Sequence, residues 1–169
     1  MPLLLLAFFG AAANVGSDGV VLARSKSGQF VVRGLPVDGP SVVAANANAV
    51  HYLRLDPSVL TISVERIKTA LLAELRQPDA WRGTIYVTVQ PRLADDQPVT
   101  ITSLRHADGW NYRLAVPEII SRDRYLRAVV QVLVMEMANR AGGERQAELP
   151  PWLVPGLAAQ LQAGAPAAL

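Results

Sequence analysis

Tyr125-Leu-Arg-Ala-Val-Val-Gln-Val-Leu-Val-Met-Glu-Met-Ala-Asn-Arg140 and Pro150-Pro-Trp-Leu-Val-Pro-Gly-Leu-Ala158, with Gly142-Gly143 between them, decide the fold. From Val129 to Met135 the first segment is apolar on nearly every side, which marks a core helix rather than a surface one. Ser121 is its N-cap, and Asp123 puts a negative charge in the first turn, where the helix dipole favours it. The two glycines end it. The second helix is entered through the double proline and starts near Trp152. Pro155 then falls in the first turn, where its missing N–H is an orphan donor anyway.

Working outward, Val20–Arg24 and Gln29–Arg33 flank Ser25-Lys-Ser-Gly28, and Gly28 can take the positive φ of a tight connection, so a β-hairpin is expected there. Gly34 to Pro40 is turn-rich, Val42 to Asn48 fits more than one state, and Val50 to Leu55 reads as a short strand stopped by Asp56-Pro57. Ser63 is read as the N-cap of an amphipathic helix from about Val64 to Arg76. Val64, Ile67, Leu71, Leu72 and Leu75 line its inner side, Glu65, Lys68, Glu74 and Arg76 face outward, and Pro78 ends it. Thr84 to Gln90 is a strand by alternation and β-branched content. Val99–Leu104 and Trp110–Val116 form a second hairpin through His106-Ala-Asp-Gly109, while Arg92 to Gln97 is a polar connection. The order of elements gives an α+β fold: an antiparallel sheet with an amphipathic helix packed on it, the buried helix, and a second C-terminal helix.

A chain of 169 residues fits one domain with a substantial core, and 51% hydrophobic against 18% charged residues excludes a disordered class. The formal net charge is +2, and the arginines are scattered without a basic block, so nucleic acid is not expected as a partner. Met1 to Ala13 is an apolar run ending in small residues. It suits the h-region of a signal peptide, although it carries no Lys or Arg, and it is too short for a membrane span. The expected organisation is therefore a signal peptide and joint over 1–19 and a single domain over 20–169, exported to the periplasm, cell envelope or exterior, with no stable membrane span in the mature chain. There is no cysteine, so disulfides are excluded.

The long helix, the Gly-containing break and the Pro150-Pro-Trp-Leu-x-x-Gly-Leu-Ala158 pattern together resemble the active-site half of peptidase MA-like (gluzincin) zinc metallopeptidases. The resemblance covers about Tyr125 to Gln162. It implies that Met135 and Asn139 stand where the two histidines of an H-E-x-x-H motif belong, that Pro155 replaces the third ligand, a glutamate, and that Glu136 alone survives, as the family's general base. A thioether, a neutral amide and a proline ring are poor or impossible substitutes for imidazole and carboxylate at zinc. The resemblance thus points to a fold that has lost its metal site, with no metal or other cofactor.

Glu136 also has a structural role available, since it lies four residues before Arg140 in the favourable orientation for an i,i+4 ion pair. His51 and His106 are far from the motif and read as ordinary surface or half-buried side chains. Asp95-Asp96 solvate a loop, and Trp81, Trp110 and Trp152 read as core or rim aromatics. The chain is therefore expected to be a pseudopeptidase: non-catalytic, binding a peptide or protein or serving as a structural module of the cell envelope, with Leu153 to Leu161 a candidate contact surface. An active zinc peptidase with a non-standard site and an unrelated cytosolic α+β interaction protein are the alternatives.

Overall fold

Alternation of buried and more exposed positions builds strands Val21–Arg24, Phe30–Gly34 and Ile85–Gln90 of the main sheet. The structure, a computed structural model, describes residues 13–15, 19–37, 42–43, 52–91, 97–140 and 143–164. In chain order the strands are β1 (Ala13–Val15), β2 (Val21–Arg24), β3 (Phe30–Gly34), β4 (Val42–Val43) and β5 (Tyr52–Arg54), followed by helix α1 (Pro57–Glu74). Then come β6 (Ile85–Gln90), β7 (Thr100–His106), β8 (Gly109–Pro117) and β9 (Ile119–Ser121), and helices α2 (Arg122–Asn139) and α3 (Leu153–Gly164). The α+β class follows directly. Residues 1–12 of the segment read as a signal peptide, 92–96 of the polar connection and His51 lie outside the described residues, while Ala13–Val15, read as part of the signal peptide and joint, pair with β2 as a strand of the main sheet.

Six strands form one sheet in the order β1-β2-β3-β6-β8-β7, and β4-β5-β9 form a second, smaller one. Both expected hairpins are present: β2 pairs antiparallel with β3, and β7 with β8 around Ala107-Asp108. Gly28 has φ +79°, as the first hairpin requires. The sheet as a whole is mixed rather than antiparallel, because β6 runs parallel to both β3 and β8. The connection from β3 to β6 passes through α1, and a helical crossover of this kind is what lets neighbouring strands run parallel. The short β9, unforeseen in the sequence, pairs with β5.

Helix α1 begins seven residues earlier than the sequence pattern suggested. Asp56 is the N-cap, its carboxylate accepting the amides of Ser58 and Val59, and Pro57 occupies the first turn. Ser63, expected to cap the helix, is in its interior and its hydroxyl accepts the Tyr125 phenol at 3.0 Å. Burial pushes the Tyr125 ionisation upward, so the phenol remains a donor. Ser121 caps α2 as expected, accepting the Arg124 amide, and Asp123 is in the first turn.

Phe30, Val32, Ile85, Val87, Tyr112, Leu114 and Val116 face the helices and form the core with the inner sides of α1 and α2. Val129, Val130 and Val132 are fully buried, which confirms α2 as the core helix. Helix α3 contributes Ala158 and Leu161. Among the described residues no helix covers the opposite face of the sheet, and Leu22, Arg24, Arg33, Tyr86 and Arg113 are all exposed there. Among the described residues no helix is long and apolar enough to cross a membrane.

Candidate functional site

Glu136 is the residue of the motif with the most contacts. The last turn of α2 buries it to 2% exposure, against the loop that leads into β6. Oε1 accepts the backbone amides of Arg82 at 2.8 Å and Gly83 at 3.3 Å. Oε2 takes the Arg140 guanidinium, at 2.7 Å from Nη2 and 3.0 Å from Nε. A buried carboxylate is tolerable only when its charge and lone pairs are met, and here both are. Glycine is required at position 83, because a Cβ there would fall 2.3 Å from the Trp110 carbonyl oxygen. The carboxylate therefore latches the C-terminal turn of α2 to the start of β6.

Asn139 and Tyr112 extend this network. The Tyr112 hydroxyl accepts the Asn139 amide at 3.0 Å and donates to the Met135 carbonyl at 3.3 Å. Asn139 Oδ1 accepts the Ala147 amide at 2.7 Å, which pins the chain after α2 back against the helix. Burial raises the Tyr112 ionisation, the nearby Glu136 charge adds to it, and the Asn139 hydrogen bond only partly offsets them. Asn139 thus supplies both a donor and an acceptor, something a metal-binding imidazole in that place would do only in part. A small polar cleft of about 170 Å³ opens beside this network, lined in part by Arg82, Arg105, His106 and Trp110.

The three positions expected from the resemblance to stand in for metal ligands do not converge. Met135 lines a second, wider cleft with Ile101, Gln131 and residues Gln146 to Leu149. Pro155 is exposed on α3, and its neighbours Leu153 and Leu157 face Val134, Met137 and Ala138 across an apolar depression. At the far end of α3, Gln162 reaches Asp123 at the start of α2, so the two helices run antiparallel along one flank. With about 100° per residue, that flank lies roughly 130° round the helix from Met135 and Asn139. Pro155 is therefore on the other side of α2 from the two positions it was expected to join. Among the described residues no three His, Cys, Asp or Glu side chains group as a metal site. His106 is an exposed side chain at the end of β7.

Sequence reasoning did not single out a second polar cluster, at the β2–β3 turn. Lys68 of α1 is buried, with Nζ 2.9 Å from Glu65 and 3.0 Å from Asp79. The ammonium reaches both carboxylates as ion pairs rather than as aimed hydrogen bonds. Glu65 also accepts the Ser27 amide at 3.2 Å and the Ser27 hydroxyl. Burial acts to raise the Glu65 ionisation, but hydrogen bonds from Ser25 and Ser27 and the Lys68 charge together bring it below the usual carboxylate value. Lys68, read as facing outward with Glu65, Glu74 and Arg76, is instead buried, because the Glu65 and Asp79 carboxylates meet its charge. The cluster ties the first hairpin to α1.

The feature most open to a partner is the edge of the main sheet. Among the described residues strand β7, Thr100–His106, ends the sheet and pairs with β8 alone, and its Ser103 and Arg105 side chains reach Gln146 and Glu144. The two-residue turn makes His106 and Gly109 a hydrogen-bonded pair. Alternation then directs the amides and carbonyls of Thr100, Thr102, Leu104 and His106 to β8, and those of Ile101, Ser103 and Arg105 outward. The Met135 cleft lies beside this edge, bounded by Ile101.

No family model, curated protein or solved structure gives a match to this chain.

Proposed function

We propose that the chain is a non-catalytic binding module that takes up an extended peptide as an added strand along the free edge of β7. The observation that carries this reading is a seven-residue, regular edge strand beside an open cleft. Edge strands are usually blunted by proline, lysine, a bulge or a covering element. β7 carries neither proline nor lysine, its Arg105 is drawn to Glu144, and Thr-Ile-Thr at its start is a strong strand former. Backbone hydrogen bonds from Ile101, Ser103 and Arg105 would supply affinity, and the cleft beside Met135 would receive alternate side chains. Glu136, fully occupied by two amides and a guanidinium, supports the non-catalytic part of the reading. With Met135, Asn139 and Pro155 in place of ligands, no zinc chemistry is called for. The apolar run at Met1 to Ala13 suggests export and hence a role in the cell envelope or outside it.

The test is a nine-residue random peptide array probed with the purified chain, followed by mass spectrometry of the bound sequences. Extended, β-branched peptides should bind and remain intact. Ser103→Pro, which removes one outward N–H and leaves the β8 ladder in place, should abolish binding, while Ser103→Ala should not. Cleaved peptides, or binding indifferent to Ser103→Pro, would refute the reading.

A further inference from the structure

The helix-free face of the main sheet is a second surface, and its composition is unusual. The strand registers place Arg24, Val31, Tyr86, Arg113 and Thr102 in one row across five strands. A neighbouring row holds Leu22, Arg33, Thr88, Ala115 and Thr100. Leu22 is 49% exposed, Tyr86 43% and Leu104, further along the same face, 43%. Neither row contains an Asp, a Glu or a Lys. The helical side of the molecule, in contrast, carries ion pairs at Glu65–Lys68, Asp123–Arg127 and Glu136–Arg140. Among the described residues no ion-pair or hydrogen-bond partner meets the side chains of Arg24, Arg33 or Arg113.

We infer that this face docks an acidic protein surface. Three unpaired guanidinium groups on a rigid sheet provide charge complementarity to carboxylates, and a guanidinium pairs with a carboxylate bidentately. Arg24 and Arg113 stand three strands apart, ~14 Å at the usual strand spacing, which is a span suited to a folded acidic patch or an acidic helix. Tyrosine and arginine side chains with aspartate, glutamate and lysine depleted is the composition of the centre of a protein interface. A single-stranded nucleic acid would call for several stacking aromatics, and Tyr86 is the one aromatic in these rows. This surface is distinct from the β7 edge, and the inference stands whether or not the edge takes a peptide.

The probe is a fluorescein-labelled peptide of alternating glutamate and leucine with interspersed aspartate, its binding to the full chain followed by anisotropy at several salt concentrations. Oligothymidylate of similar length is titrated in parallel. Arg33→Ala, Arg113→Ala and Tyr86→Ala should each weaken peptide binding about ten-fold, with urea midpoints close to wild type because all three side chains are at the surface. Arg66→Ala, on the exposed side of α1, should leave it unchanged. Affinity should fall as salt rises. Failure of the peptide to bind, an equal loss in Arg66→Ala, or tighter binding of oligothymidylate through the same arginines would each overturn the inference.

Discussion

The Glu136 carboxylate and the Arg140 guanidinium, one turn apart on α2, meet through two nitrogens, Nη2 at 2.7 Å and Nε at 3.0 Å from Oε2. The pair is nearly buried, with side-chain exposures of 1% for the glutamate and 20% for the arginine. It shares its other oxygen with the loop entering β6. The contact therefore connects helix, loop and sheet at a single carboxylate.

Removal of that carboxylate should be costly. Glu136→Ala leaves two amides and a guanidinium without their acceptor, and the expected loss is about 3–5 kcal/mol. Glu136→Gln keeps the volume and one acceptor and should lose less. Urea unfolding of the two variants measures the difference. Equal stability of Glu136→Ala and wild type would show that the latch carries nothing.

Two glycines should respond in opposite directions. At Gly83 a methyl group collides with the Trp110 carbonyl and the Tyr112 ring, so Gly83→Ala should destabilise by about 1–3 kcal/mol or more. At Gly156, exposed in the first half of α3, a Cβ meets nothing within 4 Å. Gly156→Ala should stabilise by roughly 0.5–1 kcal/mol through the reduced entropy of the unfolded chain. Thermal melting of both variants against wild type is sufficient.

Glu65 sets a pH dependence. Its folded-state ionisation lies below the ordinary carboxylate value, so its contribution to stability is complete above that value and disappears as the pH falls through the lower folded one. Glu65→Gln should be less stable than wild type by roughly 1–3 kcal/mol at neutral pH, because hydrogen bonds and the Lys68 ion pair go with the charge. The gap should close in acid below the ordinary carboxylate range. Urea midpoints for both proteins from pH 7 down to pH 3 give the curve, and a gap that persists unchanged in acid would contradict the assignment.

Much of this architecture was legible in the sequence because local rules governed it. Asp-Gly at 108–109 and Gly28 marked the hairpins, Ser121 and Asp123 marked the start of α2, and the Glu136–Arg140 pair followed from spacing alone. What escaped was long-range. The parallel pairing of β6 with β3 and β8 depends on where α1 crosses, and no local signal encodes that. Asp56 won over Ser63 as the cap of α1 because Pro57 suits a first turn, although the same Asp-Pro pair also reads as a strand stop. The two flanks of α2 were the largest surprise. The pattern at Pro150 to Ala158 fixes a helix but not the side on which it packs, so it could not show that Pro155 lies away from Met135 and Asn139.

Zinc offers a simple check on those positions. Calorimetric titration of the metal-stripped chain with zinc should give no saturable one-to-one binding, because a thioether, an amide engaged with Tyr112 and Ala147, and a distant proline do not form a site. A stoichiometric tight site would mean that other side chains assemble one.

The free edge of β7 is the centre of the functional account, and amide hydrogen exchange resolved by residue tests it most directly. With a peptide selected on the array at saturation, the account predicts slowed exchange at Ile101, Ser103 and Arg105, no change at the already paired Thr102 and Leu104, and an intact peptide at the end. Protection elsewhere with these three amides unaffected, or a peptide found cleaved, would contradict it.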